Sequence, residues 1–178
     1  MPELRPGRLR RGSNETFGAA LLDMAQDHLL WYLQRADYFG KDLVFKGGTS
    51  LRKCRLGPAG RFSTDIDLVA PDEGVVLDVC DAIDDARVAG FSFRLTSTRG
   101  DGRHWSLQVT HDELGTPAIA SSVEFARRPL ILPPERLGFV PLPVHRLYAD
   151  GVELPQLPVI AEPEECAEKL AGYRRWWL

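Results

Sequence analysis

At 178 residues, with 44% hydrophobic and 26% charged side chains, the chain has room for one domain with a sizeable core and the ordinary composition of a soluble globular protein. A formal charge of −3 argues against a broadly basic nucleic-acid binder, so any RNA contact has to use a local patch. Three isolated cysteines, Cys54, Cys80 and Cys166, fit a reducing cytosol better than a disulfide framework or a zinc site; no apolar run approaches a membrane span and no signal-peptide core opens the chain, so a cytoplasmic protein is expected.

Residues 1–12 carry Arg5, Arg8, Arg10 and Arg11 among proline and glycine and read as a flexible basic tail, with an arm on RNA phosphates as the sharper alternative. A single domain is expected over 13–178. Ser13 or Asn14 can cap a helix running to about Tyr38, whose stripe of Phe17, Leu21, Met24, Leu29 and Leu33 has helical spacing. A turn over 37–41 leads to a strand at 43–45, then Gly47-Gly48-Thr49-Ser50 opens a helical stretch at 51–56. Residues 56–60 (Leu-Gly-Pro-Ala-Gly) form a connector expected to be mobile, ahead of a strand at 65–69 reading Asp-Ile-Asp-Leu-Val. Asp72 or Gly74 begins a helix to about Val88, with Val76, Val79, Cys80 and Ile83 inward and Asp78, Asp81, Asp84 and Asp85 on a solvated face.

Strands near 91–98 and 104–110 make an antiparallel hairpin, and a further strand at 121–127 turns Val123 and Phe125 to one side and Glu124 to the other. The segment 129–163 is proline-rich, with an extended run expected at 138–144. Pro163 suits the first turn of a final helix to 177, with Cys166, Leu170, Tyr173 and Trp177 as its buried stripe. The four histidines are scattered, and none sits at metal-ligand spacing from another.

Two signals carry the chemistry. In a strand, Asp65 and Asp67 point the same way while Ile66 and Leu68 enter the core. Two neighbouring carboxylates repel unless a cation or protons neutralise them, so the pair reads as half of a hard-cation site, most simply for Mg²⁺. A strand–Gly-Gly–helix junction supplies the other half: backbone N–H groups and hydroxyls placed for phosphate, with Arg52, Lys53, Arg55 and Arg61 around it. Composition and spacing stop at nucleotide transfer.

At these residues the chain resembles the DNA polymerase beta-type nucleotidyltransferase superfamily, whose glycine turn and D-x-D signature Gly47 to Ser50 and Asp65-Ile66-Asp67 match. The fuller string, FKGGTSLRK followed by RFSTDIDL, is similar to the AbiEii/AbiGii toxin family, which includes the mycobacterial MenT toxins. The strong match covers about residues 45–69, with weaker similarity at 123–125 and 168–170. The resemblance implies an α+β nucleotidyltransferase fold, a mixed, mostly antiparallel sheet with helices packed mainly on one side. It implies Glu124 as a third carboxylate beside Asp65 and Asp67, together holding Mg²⁺ or Mn²⁺.

The triphosphate is expected on Gly47, Gly48, Thr49 and Ser50, with Arg52 and Lys169 as countercharges and the Lys169 ammonium near Asp65 and Asp67. The implied function is the toxin of a toxin–antitoxin or phage-defence pair, transferring a nucleotide from a nucleoside triphosphate to an acceptor hydroxyl, that of the tRNA 3′ end, with a cognate antitoxin as partner. In the family a later aspartate completes the site. No acid follows Glu168, so a shortened member with a less completely closed site is expected. A small-molecule (antibiotic-type) nucleotidyltransferase, a D-x-D glycosyltransferase and a degenerate nucleotide-binding module remain as alternatives. If the acceptor is RNA, Arg52, Arg55, Arg61, Arg127 and Arg128 should gather around one cleft.

Overall fold

The structure, a computed structural model, describes residues 14–40, 43–70, 72–99, 101–113, 115–142, 145 and 154–174. The basic tail at 1–12 and the expected core side chains Phe17, Tyr173 and Trp177 lie outside what is described. Helix α1 (Asn14–Arg35) leads through a 3₁₀ turn (Tyr38–Gly40) to β1 (Val44–Lys46). Helix α2 (Gly47–Leu51) starts on the first glycine and continues as a π-wound turn (Arg52–Leu56). There follow β2 (Asp65–Val69), α3 (Glu73–Ile83), β3 (Arg87–Val88), β4 (Phe91–Arg99), β5 (His104–His111), β6 (Gly115–Ala126), β7 (Glu135–Gly138), β8 (Gln156–Val159) and α4 (Glu162–Arg174).

The eight strands form one sheet in the order β3-β4-β5-β6-β2-β1-β8-β7. Pairing is parallel for β2–β6 and β1–β8 and antiparallel at the other five junctions, the expected mixed, mostly antiparallel α+β arrangement. Side chains alternate between the two faces, so register decides what shares a face. Phe45 pairs with Leu68 and Val159, Ile66 with Val123, and Leu68 with Phe125, and all of these are buried. Helix α1 packs on this face, where His28 meets Phe91 with ring centroids 5.6 Å apart. Helix α3 contributes Val76, Val79, Cys80 and Ile83 to the core, as its spacing required. The opposite face carries Lys46, Asp65, Asp67, Ser122 and Glu124 at one end of the strands.

Four local expectations are corrected. Helix α3, capped by the Asp72 carboxylate on the Gly74 and Val75 amides, ends at Ile83 rather than Val88, because Asp84 is extended and Arg87–Val88 pairs with β4. The extended run expected at 138–144 is instead β7, ending at Gly138 and pairing with β8; residues 143–144 lie outside those described. The connector after α2 is held rather than loose. Arg52 donates to the carbonyls of Gly57 and Gly60 at 3.3 and 2.8 Å, and Val140 N–H donates to Lys53 O at 2.7 Å. Finally, α4 buries Glu164 and Glu165 and leaves Cys166 and Leu170 exposed, Leu170 at 68%. Its inward face meets cations and amides, so carboxylates rather than aliphatic groups complete it.

Helix α1 is buried almost all round, and its polar side solves the problem that creates. Asp23 and Asp27, four apart on one face, both accept from the Lys53 ammonium, at 2.8 and 2.5 Å. Lys53 is only 1% exposed and also donates to Asp23 O. Arg52 adds two bonds to the Asp23 carboxylate, and His145 Nε2 lies 3.2 Å from Asp27 Oδ2. Burial works against the charge on Asp27, but Lys53 and His145 outweigh it and bring its pKa down to about 2. This cluster bolts the turn after the glycines onto α1.

Removing the buried ammonium while keeping its length, Lys53→Met, takes from Asp23 and Asp27 the cation they share, leaving them only Arg52 and His145, and should cost about 3 kcal/mol in urea unfolding at neutral pH. The ionised Asp27 contributes stability above its unfolded pKa, near 4, and loses it as pH falls toward about 2. The gap between wild type and variant should therefore narrow below about pH 4. A gap that is small at pH 7, or constant on acidification, would contradict this account.

Candidate active site

The site is built where β1 ends and β2 begins. Antiparallel pairing sets Lys46 opposite Asp67. The chain then turns at once through Gly47, whose φ of +82° an L side chain rarely adopts. A Cβ at Gly47 would also collide with the Asp67 carboxylate, so the turn lies directly on that acid. Two hydroxyls lock it from inside. Thr49 Oγ1 donates to the backbone carbonyl of Asp65, tying turn to strand. Ser50 Oγ lies 3.0 Å from Gly47 O and 3.1 Å from Glu165 Oε1. Thr49 and Ser50 are fully buried, so their hydroxyls serve the fold and are not free phosphate donors. What the turn presents is its backbone and Gly48, which faces the Ser63 hydroxyl.

Parallel pairing of β2 with β6 sets Asp65 beside Ser122 and Asp67 beside Glu124. The three expected acids thus share one face, each with its own neighbour. Asp65 Oδ1 accepts from Ser122 Oγ at 2.9 Å and Thr64 Oγ1 at 3.0 Å. Glu124 is turned toward His104, 2.8 Å from Nδ1. Among the described residues no three His, Cys, Asp or Glu side chains converge tightly enough to cage a metal ion. Like charges keep apart, and His104 gives Glu124 another partner. Asp67 is the strained member: burial first, then the Glu124 charge, raise its pKa to about 6, against the opposing pull of Lys46.

Helix α4 closes the other side. Lys46 Nζ pairs with Glu168 Oε2 at 2.6 Å, and Arg128, leaving β6, holds both Glu168 and Glu164. Glu164 also accepts from the Ile131 and Leu132 amides at 3.0 and 2.9 Å. Lys169, next along the helix, is exposed and lies on the Asp67 side, where its charge favours the ionised forms of both Asp67 and Glu165.

Arg52 does not join this group. Its guanidinium is buried on Asp23 and the Gly57 and Gly60 carbonyls, with the Phe62 ring 4.1 Å away, which corrects its assignment as a phosphate countercharge. Arg55 is held by Glu135 and Ile160 O and Arg128 by α4, while Arg127 is half exposed and makes only longer surface pairs with Glu73 and Asp101. Arg61 is exposed. The basic cleft expected for an RNA acceptor is not assembled from these residues. Lys46, Glu165 and His104 carry no local signal that marks them for this site, and Arg128, expected beside an RNA acceptor, instead holds Glu164 and Glu168.

A family model described as the nucleotidyl transferase AbiEii toxin of type IV toxin–antitoxin systems matches residues 31–175. Among solved structures, MenT4, a nucleotidyltransferase toxin of Mycobacterium tuberculosis, is 62% identical with a TM-score of 0.88, covering 97% of this chain and 60% of that one. The chain therefore spans about 60% of the length of that relative. Two Helicobacter pylori proteins are more distant. One, described as a nucleotidyltransferase, has 16% identity and a TM-score of 0.47 over 89% of this chain and 59% of its own. The other, JHP933, has 13% identity and a TM-score of 0.42 over 80% and 56%. No curated protein sequence matches. Among the described residues no helix is long and apolar enough to cross a membrane.

The Asp67 shift has a measurable consequence. Because its folded pKa of about 6 lies above its unfolded value, the folded chain keeps a proton that the unfolded chain has released, and stability falls as pH rises through that window. Asp67→Asn should abolish the effect and stabilise the protein by on the order of 2 kcal/mol above about pH 7, with no gain below about pH 4. Urea unfolding of both proteins across this range reads it directly, and parallel pH profiles would refute the shift.

Proposed function

The chain belongs to the AbiEii family of nucleotidyltransferase toxins, and we propose that it acts as a metal-dependent nucleotidyltransferase, moving a nucleoside monophosphate from a nucleoside triphosphate to an acceptor hydroxyl. The observation that carries this reading is the glycine turn seated on Asp67, with Asp65 and Glu124 on the same face. Polyphosphate on the turn would lie beside the acids with no intervening element.

The residues suit a hard divalent cation. Mg²⁺ takes one or two carboxylates and fills its remaining positions with water and phosphate oxygens, so a closed protein cage is not required. The raised pKa of Asp67, caused first by burial and then by the Glu124 charge, marks a carboxylate whose ionised form such a cation would stabilise. Asp65 and Asp67, with Glu124 as third ligand, would hold Mg²⁺ or Mn²⁺, which when bound supplies Lewis acidity at the transferring phosphorus and a more acidic acceptor hydroxyl. The backbone at Gly47 and Gly48 orients the β and γ phosphates. Thr49 and Ser50 fix that backbone through their hydroxyls. Lys169 neutralises the charge that develops on the leaving pyrophosphate. Positioning and charge account for most of such a transfer.

For the acceptor, the toxin family favours the tRNA 3′ end, with a cognate antitoxin as the protein partner. One observation favours a second reading. Arg52, Arg55 and Arg128 are each hydrogen-bonded to carboxylates, which suits a small-molecule hydroxyl better than an RNA backbone. Incubating the protein with each labelled triphosphate and Mg²⁺, with total tRNA, with a panel of hydroxylated small molecules, or alone, separates the two. Label on tRNA establishes the first reading, label on a small product the second, and no incorporation anywhere overturns both.

Asp65→Asn and Asp67→Asn should each reduce transfer at least about a hundredfold while the protein stays folded, because an amide keeps the shape and loses the charge. Lys169→Ala should cost activity far beyond its effect on stability, which for an exposed helical lysine is about 0.2–0.5 kcal/mol. Near-normal turnover in either aspartate variant would remove the carboxylate pair from the mechanism. A Lys169→Ala enzyme with wild-type turnover would do the same for the lysine.

A further inference from the structure

The inward face of α4, where Glu164 and Glu165 are buried, differs in kind from an ordinary helix face, and one residue on it has no assigned task. Glu165 is 2% exposed, yet its best contact is not a cation. Oε1 lies 3.1 Å from Ser50 Oγ, and the Gly47 N–H is close enough to favour the carboxylate. Oε2 makes no hydrogen bond among the described residues; the nearest cationic atom, Arg55 Nε, is 3.9 Å away and is itself unbonded. A buried acid placed for salt bridging would close that gap. This one is aimed at the glycine turn from behind.

We propose that Glu165 is a positioning residue for nucleotide transfer, a bracket on α4 that fixes the Gly47–Ser50 turn and so sets where it meets both triphosphate and Asp67. The proposal rests on the reading of that turn as the triphosphate cradle. The geometry gives the bracket its reach. Ser50 and Gly47 are the two ends of one helical turn, and both touch Glu165. Gly47 lies against the Asp67 carboxylate, so a shift of the turn changes the surroundings of that acid. Lys169 stands four residues after Glu165, on the same side of α4, so the contact that holds the turn also registers the lysine beside it.

Ser50 has one hydroxyl proton and two acceptors within 3.1 Å, the Gly47 carbonyl and Glu165. Both contacts are satisfied when Glu165 carries a proton and donates it to Ser50 Oγ, while Ser50 donates to Gly47 O. Burial, which pushes the Glu165 carboxyl above its ordinary range, agrees with that arrangement. A glutamine at this position reproduces it, since its amide donates where the acid did.

The test measures triphosphate binding and turnover in Glu165→Ala, Glu165→Gln, Ser50→Ala, the double variant and Gly48→Val, with thermal unfolding of each. Glu165→Ala and Ser50→Ala should each raise KM for the triphosphate about tenfold with a smaller change in kcat, and the double variant should be no worse than either alone. Glu165→Gln should stay within about threefold of wild type. Ser50→Ala removes a single oxygen, so it decides the matter should Glu165→Ala fail to fold. A wild-type KM in Ser50→Ala, multiplying losses in the double variant, or a Gln variant as poor as the Ala variant overturns the proposal. Gly48→Val reports on the cradle itself, because its side chain enters the space before Ser63. If it weakens binding and Ser50→Ala does not, only the bracket is wrong; if it leaves binding unchanged, cradle and bracket fall together.

Discussion

The contact between Gly47 and Asp67 is the constraint on which the rest of this site depends. It follows from β-pairing and a single glycine. Antiparallel register sets Lys46 across from Asp67, and the next residue must reverse the chain within the width of one side chain. Only a residue without a Cβ can do so against that carboxylate. The two halves of the chemistry, a backbone turn for phosphate and an acid for a cation, thereby share a boundary without any loop to adjust the distance. Thr49 repeats the link two residues later by donating to the carbonyl of Asp65.

Charge balance across this boundary is unusually tight for a protein with so many ionised groups near its centre. The face that carries Asp65, Asp67 and Glu124 is answered by Lys46, Lys169 and Arg128, but Lys46 and Arg128 are themselves held by Glu164 and Glu168 of α4. Fully paired cations contribute little long-range attraction. The strain therefore falls on Asp67, where burial and then the Glu124 charge oppose ionisation, while the more exposed Glu124 relaxes toward His104. A cation and a polyphosphate arriving together would add charges of both signs and could be absorbed without rearranging the core.

Much of this was legible in the sequence, and the illegible part has a common cause. Strand alternation placed Asp65 and Asp67 on one face and Ile66 and Leu68 in the core, and the apolar spacing of α3 identified Val76, Val79, Cys80 and Ile83, because local periodicity is enough for both. Glu124 was expected beside Asp65 and Asp67 only through the family resemblance, and the partners Ser122 and His104 depend on strand order and register, which no local pattern encodes. The failure at α4 is more instructive. An apolar stripe of Cys166 and Leu170 was expected, yet carboxylates occupy the buried face, since Arg128, Ser50 and two backbone amides were waiting there. Arg52 misled in the opposite direction. A cation beside a phosphate turn suggests phosphate, but Asp23 lies in a helix 29 residues earlier and claims it.

That claim explains why so polar a helix can be central. Burying Asp23 and Asp27 without partners would cost several kcal/mol each, and aliphatic replacements would pack at no such penalty. The charged solution adds direction: Lys53 is reached from both carboxylates and Arg52 from one, so α1 can meet the π-wound turn in one register only. Hydrophobic contacts alone tolerate sliding, whereas a bifurcated ion pair does not. The glycine turn is thus fixed from two sides, by α1 through Arg52 and Lys53 and by α4 through Glu165. The acids are fixed separately by the parallel pairing of β2 with β6. Two halves with separate anchors that meet at Gly47 and again through Thr49 give a site whose geometry is set before any substrate binds, which is the condition under which fixed dipoles and charges are most effective in stabilising a transition state.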